Sequence, residues 1–113
     1  MSQPLYQYAM SLLARREHSR AELWRKLEKK GYLNLEIIEA LDSLEEKNYL
    51  SECRFIECRI RFRVRCGMGP LKILSEFQML HQIDKTSVLN HEAWKEMDWV
   101  AMTRDVRDRK YGE

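Results

Sequence analysis

Turn-forming residues are scarce in this 113-residue chain, which has only 4 glycines and 2 prolines. β-Sandwiches and β-barrels need many turns with special backbone angles, so this supply argues against an all-β fold. Long apolar runs are also missing, and none approaches the roughly 18 residues of a membrane-spanning helix. The first residues lack the charged-then-apolar layout of a signal peptide. We therefore expect no membrane association.

Cysteines are few, and they occur at positions 53, 58 and 66. Their number is odd and no Cys-x-x-Cys spacing occurs, so we expect neither a disulfide framework nor a structural zinc site. Buried free cysteines behave as small apolar side chains. The sequence therefore predicts three packing thiols in a reducing cytoplasm.

Motifs of enzymatic chemistry are absent. The chain has no P-loop, no Gly-x-Gly-x-x-Gly and no His-Glu-x-x-His,. Its serines lack the Gly-x-Ser-x-Gly context of a nucleophile, and adjacent acids such as Glu45 and Glu46 point apart on a helix. We expect no catalytic residue, no metal, no cofactor and no enzymatic activity.

Helical periodicity is what the sequence does contain. Two long stretches, 32–66 and 71–111, have no Gly or Pro. Apolar residues recur at helical spacing along the whole chain, which predicts an all-α protein of seven helices. The seventh is expected at roughly 95–110, with Trp99, Met102 and Val106 on one face.

Local signals place several helix ends. Ser19 with Glu22 resembles a capping box that opens the second helix, and Gly31 suits the left-handed position that closes it. Asn34 and Ser51 are expected to cap the third and fourth helices. In the fourth helix, 52–66, the spacing predicts an apolar face made of Phe55, Cys58, Phe62 and Cys66.

A weak internal repeat appears when the chain is shifted by 50 residues. Leu5 then falls on Phe55, and Leu23 falls on Ile73. This predicts an elongated array of tandem three-helix repeats whose faces are buried partly against neighbours. The expected boundaries are 1–48 for the first repeat, 49–93 for the second and 94–113 for one helix of an incomplete third.

Charge is strongly segregated although the net charge is only +2. Residues 15–30 hold seven bases and three acids, residues 34–52 hold six acids and one base, and residues 53–72 hold six bases and one acid. The arginines of the fourth helix form two stripes, and guanidinium groups suit phosphates and carboxylates. The basic helix serves either as a binding surface or as the intramolecular partner of the acidic helix.

Three stretches stand in order along the chain: LLARREHSRAELWRKLEKKGY (12–32), LEEKNYLSECRFIECRIRFRVRCGMGPLKILSEF (44–77) and DWVAMTRDVRDRKYGE (98–113). Together they resemble the RecX family. The resemblance covers nearly the whole chain. Met68 stands where the family usually has an aromatic residue, and the glycine that usually ends the fifth helix is absent. The family continues with two more helices where this sequence stops at Glu113, so either the sequence is cut short there or the third repeat is reduced to one helix.

The resemblance implies a cytoplasmic regulator that lies in the groove of the RecA filament on single-stranded DNA. Such a protein inhibits strand exchange, ATP hydrolysis and filament extension, and so modulates recombination, DNA repair and the SOS response. Charge, rather than the family motif, nominates the binding residues. They are Arg54, Arg59, Arg61, Arg63, Arg65, Lys72, Arg20, Arg25, Lys26, Lys29 and Lys30.

Two other hypotheses stay open at this point. One is a helical domain that binds single- or double-stranded nucleic acid without sequence preference and without RecA. The other is a generic helical adaptor that docks a partner at its Trp94 and Trp99 end. We expect a monomer, with weak self-association through Trp99, Met102 and Val106.

Overall fold

This computed structural model describes residues 2–97 and 99 of the chain. These residues form seven α-helices and no strand. The helices are α1 Ser2–Arg15, α2 Arg20–Lys29, α3 Asn34–Glu46, α4 Glu52–Arg65, α5 Pro70–His81, α6 Lys85–Leu89 and α7 Glu92–Lys95. The all-α prediction is confirmed. The contacts divide the chain into two units, Met1–Phe55 and Ile56–Glu113, while the three-repeat boundaries stay a prediction.

Unit 1 contains three helices, α1, α2 and α3, each of which packs on the other two around an aliphatic core. Full burial of one such side chain stabilises the fold by about 1.5–3 kcal/mol. The most completely buried aliphatic members are Leu5, Ala9, Leu23, Leu27, Ile37, Leu41 and Leu44. The helical spacing of apolar residues is therefore reflected in the core of unit 1, although Ile38, also in α3, is 38% exposed.

The ends of α2 follow the sequence signals. The Ser19 hydroxyl accepts a hydrogen bond from the Glu22 backbone N–H at 3.1 Å, which satisfies one N–H that the helix itself leaves unpaired,. Gly31 has φ +99, a backbone region that side chains with a Cβ rarely adopt,. The N-cap at Ser19 and the left-handed conformation of Gly31 are confirmed.

The predicted cap of α3 is wrong by one residue. Leu33 occupies the N-cap position with extended backbone and makes no side-chain cap hydrogen bond, while Asn34 is already helical. Because the chain turns into the helix at Leu33, the Asn34 side chain cannot act from the capping position. Ser51 does cap α4, since its hydroxyl accepts from the Arg54 backbone N–H at 3.2 Å.

The apolar face predicted for α4 is also wrong. Phe55 is buried, but Cys58 and Cys66 are exposed and Phe62 is 44% exposed. The buried residues that follow Phe55 are instead Ile56, which is 2% exposed, and Ile60, which lies four residues later and is 0% exposed. Both lines have helical spacing, and the aliphatic one is the line that is buried.

The core of unit 2 is built by side chains that include Ile73, Phe77 and Val88, each 0% exposed. Helix α5 ends without a glycine. Gln82 takes the left-handed conformation, φ 50 and ψ 38, and the N–H groups of Gln82 and Ile83 both bond the Phe77 carbonyl. The predicted helix at 95–110, including Met102 and Val106, lies almost wholly outside the described residues.

Candidate functional site

The eleven basic residues nominated from charge fall in both units. Unit 1 carries Arg20, Arg25, Lys26, Lys29, Lys30 and Arg54, and unit 2 carries Arg59, Arg61, Arg63, Arg65 and Lys72. Their surroundings differ, and the difference separates residues held by the fold from residues open to a partner.

Arg20 is engaged by the acidic helix. Its Nη2 lies 2.9 Å from Oδ1 of Asp42, and its Nη1 lies 2.5 Å from Oε1 of Glu45. The acidic helix α3 is therefore paired here with α2, whereas the charge pattern proposes the fourth helix as its intramolecular partner. Because two carboxylates already neutralise Arg20, it has little charge left to offer a partner.

Lys26 is held by a buried histidine. Its Nζ lies 2.9 Å from Nε2 of His18, whose Nδ1 lies 3.0 Å from the carbonyl oxygen of Arg16. A neutral ring satisfies both contacts, because Nδ1–H donates to the carbonyl and Nε2 accepts from the ammonium group. Burial, and next the positive charges of Arg16 and Lys26, lower the pKa of His18, while the carbonyl contact and Glu22 oppose that shift.

The remaining nominated bases of α2, and Lys30 at its C-cap, lie on the surface. Lys30 has its Nζ 5.0 Å from the centre of the Tyr8 ring, a cation–π distance,. Arg25 and Lys29 are exposed.

Arg54 fastens the start of α4 within unit 1. Its Nε donates to Oε2 of Glu17 at 2.9 Å, and its Nη2 donates to the carbonyls of Asn48 at 2.7 Å and Tyr49 at 3.2 Å. A fork of this shape is specific to arginine. The contacts make Arg54 a structural residue of the turn that precedes the helix.

Unit 2 holds the more open cations. Arg61 forms an i,i+4 ion pair of 3.2 Å with Glu57, and both side chains are about half exposed. Such surface pairs contribute well under 1 kcal/mol. Arg65 and Lys72 are exposed and form no ion pair with any other residue that the structure describes.

Arg63 is the most firmly held of the unit 2 arginines. Its Nε donates to Oε1 of Glu76 at 2.9 Å, and its Nη2 lies 2.6 Å from Oε2. The two side chains are only 25% and 12% exposed. The hydrogen bond to Glu76 is the main cause that raises the pKa of Arg63 above its usual value, so the guanidinium group stays charged and fixed.

Phe62 is the surface residue that the sequence reasoning misplaced in the core. The guanidinium carbons of Arg59 and Arg63 lie over its ring, 5.7 Å and 5.3 Å from the ring centre. Its neighbours at i±3 and i±4 on the helix are arginines and cysteines. We call this surface the Phe62 patch: Phe62, Cys58, Arg59, Arg65 and Cys66. The flanking arginines were the available signal that this ring lies outside the core.

The cysteine prediction is wrong in one respect. Cys53, Cys58 and Cys66 are free thiols, as expected, but all three are exposed rather than packed. Within the described residues, no group of three or more His, Cys, Asp or Glu side chains could hold a metal ion. None of the helices there is both long enough and apolar enough to cross a membrane.

Comparison with known proteins gives one consistent result. Residues 6–44 match a family model described as RecX, first three-helix domain. The chain is 43% identical over 105 residues to the regulatory protein RecX of Pseudomonas putida. These aligned residues make up 91% of this chain and 72% of that protein. For the regulatory protein RecX of Pseudomonas entomophila (strain L48), the identity is 42% over 103 residues, 91% of this chain and 66% of that protein.

A more distant organism gives a similar match. The regulatory protein RecX of Halorhodospira halophila (strain DSM 244 / SL1) is 40% identical over 106 residues, which is 92% of this chain and 64% of that protein. The chain thus spans about two thirds of the length of the relatives it matches.

Proposed function

Because this chain belongs to the RecX family of regulatory proteins, we propose that it binds the RecA filament on single-stranded DNA and inhibits its recombinase and ATPase activities. It would act in the cytoplasm, on recombination and DNA repair. The proposal assigns it a regulatory rather than an enzymatic role. The open cationic surface of unit 2 is the structural observation that carries the proposal.

The charges of unit 2 support binding to an anionic surface. Arg65 and Lys72 are exposed and form no ion pair among the described residues. Arg61 would give up only its surface ion pair with Glu57 on binding a partner. Such cations gain most when they meet carboxylates or phosphates, because they lose little of an existing partner. We propose these three residues, with Arg59, as direct contacts.

The other nominated residues divide differently. Arg20, Arg54 and Lys26 already hold carboxylates, carbonyls or a histidine within unit 1, so we propose that they maintain the fold. Lys29 is exposed and remains available to a partner. Arg25 and Lys30 stay predicted contacts.

The test is RecA-dependent ATP hydrolysis on single-stranded DNA, measured with and without the protein. We expect inhibition at a near-stoichiometric ratio to RecA. The matched variant reverses two open charges, Arg61→Glu with Arg65→Glu, and should inhibit less while its helicity, measured by circular dichroism, is unchanged. Full RecA activity at equimolar wild-type protein would overturn the proposal for this 113-residue chain.

A second candidate function is sequence-nonspecific nucleic-acid binding without RecA. The observation in its favour is an exposed aromatic ring, Phe62, beside arginines, since single-strand binders combine stacking rings with cations,. Its affinity should fall with salt, with a log–log slope of about −0.7 for each phosphate neutralised on a single strand. A flat salt response would reject this candidate.

A further inference from the structure

Building on the proposed function, we propose that Phe62 is the anchor of the partner interface, and that Glu76 positions it by holding Arg63. The partner surface that fits it is a protein surface with an apolar recess bordered by carboxylates. This goes beyond a general basic surface, because it names an apolar contact and gives one of the arginines a supporting role.

The Phe62 patch combines one apolar ring with cations. A single exposed apolar residue is ordinary, but Phe62 lies among cations on its own face of the helix. Arg59 and Arg65 are its i−3 and i+3 neighbours, so all three share one face of α4,. An apolar centre within a charged rim is the anatomy of a protein interface, in which buried aromatics carry most of the binding energy.

The Phe62 ring lies against an arginine that is itself held in place. Glu76 holds Arg63 through one hydrogen bond to Nε and an ion-pair contact of 2.6 Å to Nη2, and the Arg63 guanidinium carbon lies 5.3 Å from the centre of the Phe62 ring. Because Glu76 is only 12% exposed, solvent competes weakly for this pair. The ring therefore rests against a rigid support, and little conformational freedom remains to be lost on binding.

The groups that lie over the ring favour a protein partner over a nucleic acid. Two guanidinium groups already lie over the ring, at 5.3 Å and 5.7 Å. A stacking base would have to share the ring with these groups or displace one of them. A protein recess can instead receive the ring and its arginines together, while carboxylates on the recess border meet Arg59 and Arg65. The geometry therefore favours a protein partner.

The experiment measures the concentration of protein that half-inhibits RecA ATPase on single-stranded DNA. Phe62→Ala should raise this concentration by about 30-fold, the size of an interface hot spot, whereas Phe62→Tyr keeps the ring and should stay near wild type. Tyr49→Ala is the matched control, because Tyr49 is also an exposed aromatic (48%, against 44% for Phe62). Circular dichroism melting checks each fold, and Phe62→Leu replaces Phe62→Ala if the latter unfolds.

The role of Glu76 has its own readout. Glu76→Gln should weaken inhibition by roughly threefold to tenfold in the wild-type background, yet add nothing in the Phe62→Ala background, as expected for residues that act through one another. A merely structural role would instead lower inhibition equally in both backgrounds. Equal effects would therefore remove Glu76 from the proposal.

Binding to a fluorescent oligothymidylate without RecA separates the partner classes. We expect Phe62→Ala to leave this binding unchanged. If the variant loses oligothymidylate binding and keeps RecA inhibition, the anchor serves nucleic acid and the protein recess is rejected. If the wild-type protein inhibits RecA, and both Phe62→Ala and Phe62→Leu inhibit it as well as wild type does, then Phe62 is not the anchor, while the proposed function stands. If wild type does not inhibit, the proposed function fails and the anchor fails with it.

Discussion

Nζ of Lys26 lies 2.9 Å from Nε2 of His18, so a surface-helix lysine is tied to a histidine that is 1% exposed. The ring nitrogen can accept from the ammonium group only while it carries no proton. Protonation would remove this hydrogen bond and place two positive charges side by side in a buried site. The contact therefore links the stability of unit 1 to pH.

The first prediction is a loss of stability in mild acid. The folded pKa of His18 lies below the ordinary 6.5, so the unfolded chain binds its proton first as pH falls. The contribution of neutral His18 to the free energy of unfolding is therefore complete above pH 6.5. It declines as the pH falls below 6.5, by at most about 1.4 kcal/mol per pH unit. Urea unfolding at pH 7.5, 6.5 and 5.5 measures it.

Two variants isolate that effect. His18→Gln should flatten the dependence on pH over this range, because no titrating ring remains. Lys26→Met should make it shallower without removing it, since burial is the larger cause of the lowered pKa. An unchanged pH dependence in His18→Gln would show that other groups are responsible.

The second prediction compares two glycines that have open space around them but differ in backbone angle. Gly31 has φ +99 and Gly69 has φ −78, and neither would bring an added Cβ within 4 Å of another group. Gly31→Ala should cost roughly 1–2 kcal/mol from the left-handed backbone alone. Gly69→Ala should change the free energy of unfolding by only a few tenths of a kcal/mol. Equal losses in thermal or urea unfolding would contradict the backbone explanation.

The local signals of the sequence were sufficient for the helix ends at Ser19 and Gly31, because a cap or a left-handed glycine depends on a few adjacent residues. The buried face of α4 could not be predicted in that way. Phe55, Phe62 and the cysteines form one line at helical spacing, and the isoleucines at 56 and 60 form another. The choice between them depends on packing partners that are distant in sequence.

The same limit applies to the candidate site. The basic segment was visible from composition, but Arg20 is neutralised by residues 22 and 25 positions away. Arg63 is held by Glu76, 13 positions further along the chain. Charge counts treated such arginines like the open Arg65, and only the folded contacts distinguish them.

The third prediction follows from that distinction. Arg65→Ala should weaken RecA inhibition about fivefold, the effect of losing one charge pair of roughly 1 kcal/mol. Arg20→Ala should leave inhibition unchanged and lower the free energy of unfolding by less than about 1 kcal/mol, because its two ion pairs are on the surface,. Half-inhibiting concentrations and urea unfolding check the two variants together. Stronger loss of inhibition in Arg20→Ala would reverse the assignment of roles.

The fourth prediction concerns the thiols. Cys53, Cys58 and Cys66 are all exposed, so a disulfide reagent such as dithionitrobenzoate should titrate three equivalents in native buffer. Packed thiols would react only after denaturation. A native titration below three equivalents that rises to three in urea would contradict the exposed positions.

The central claim, that the protein acts on the RecA filament, is tested most directly by comparing two immobilised targets at one salt concentration. One surface carries single-stranded DNA alone, and the other carries the same DNA coated with RecA and a slowly hydrolysed ATP analogue. We predict clearly tighter binding to the RecA-coated DNA, and weaker binding there for Arg65→Ala. Equal or tighter binding to the bare DNA would contradict the account and favour a nucleic-acid-binding protein that acts without RecA.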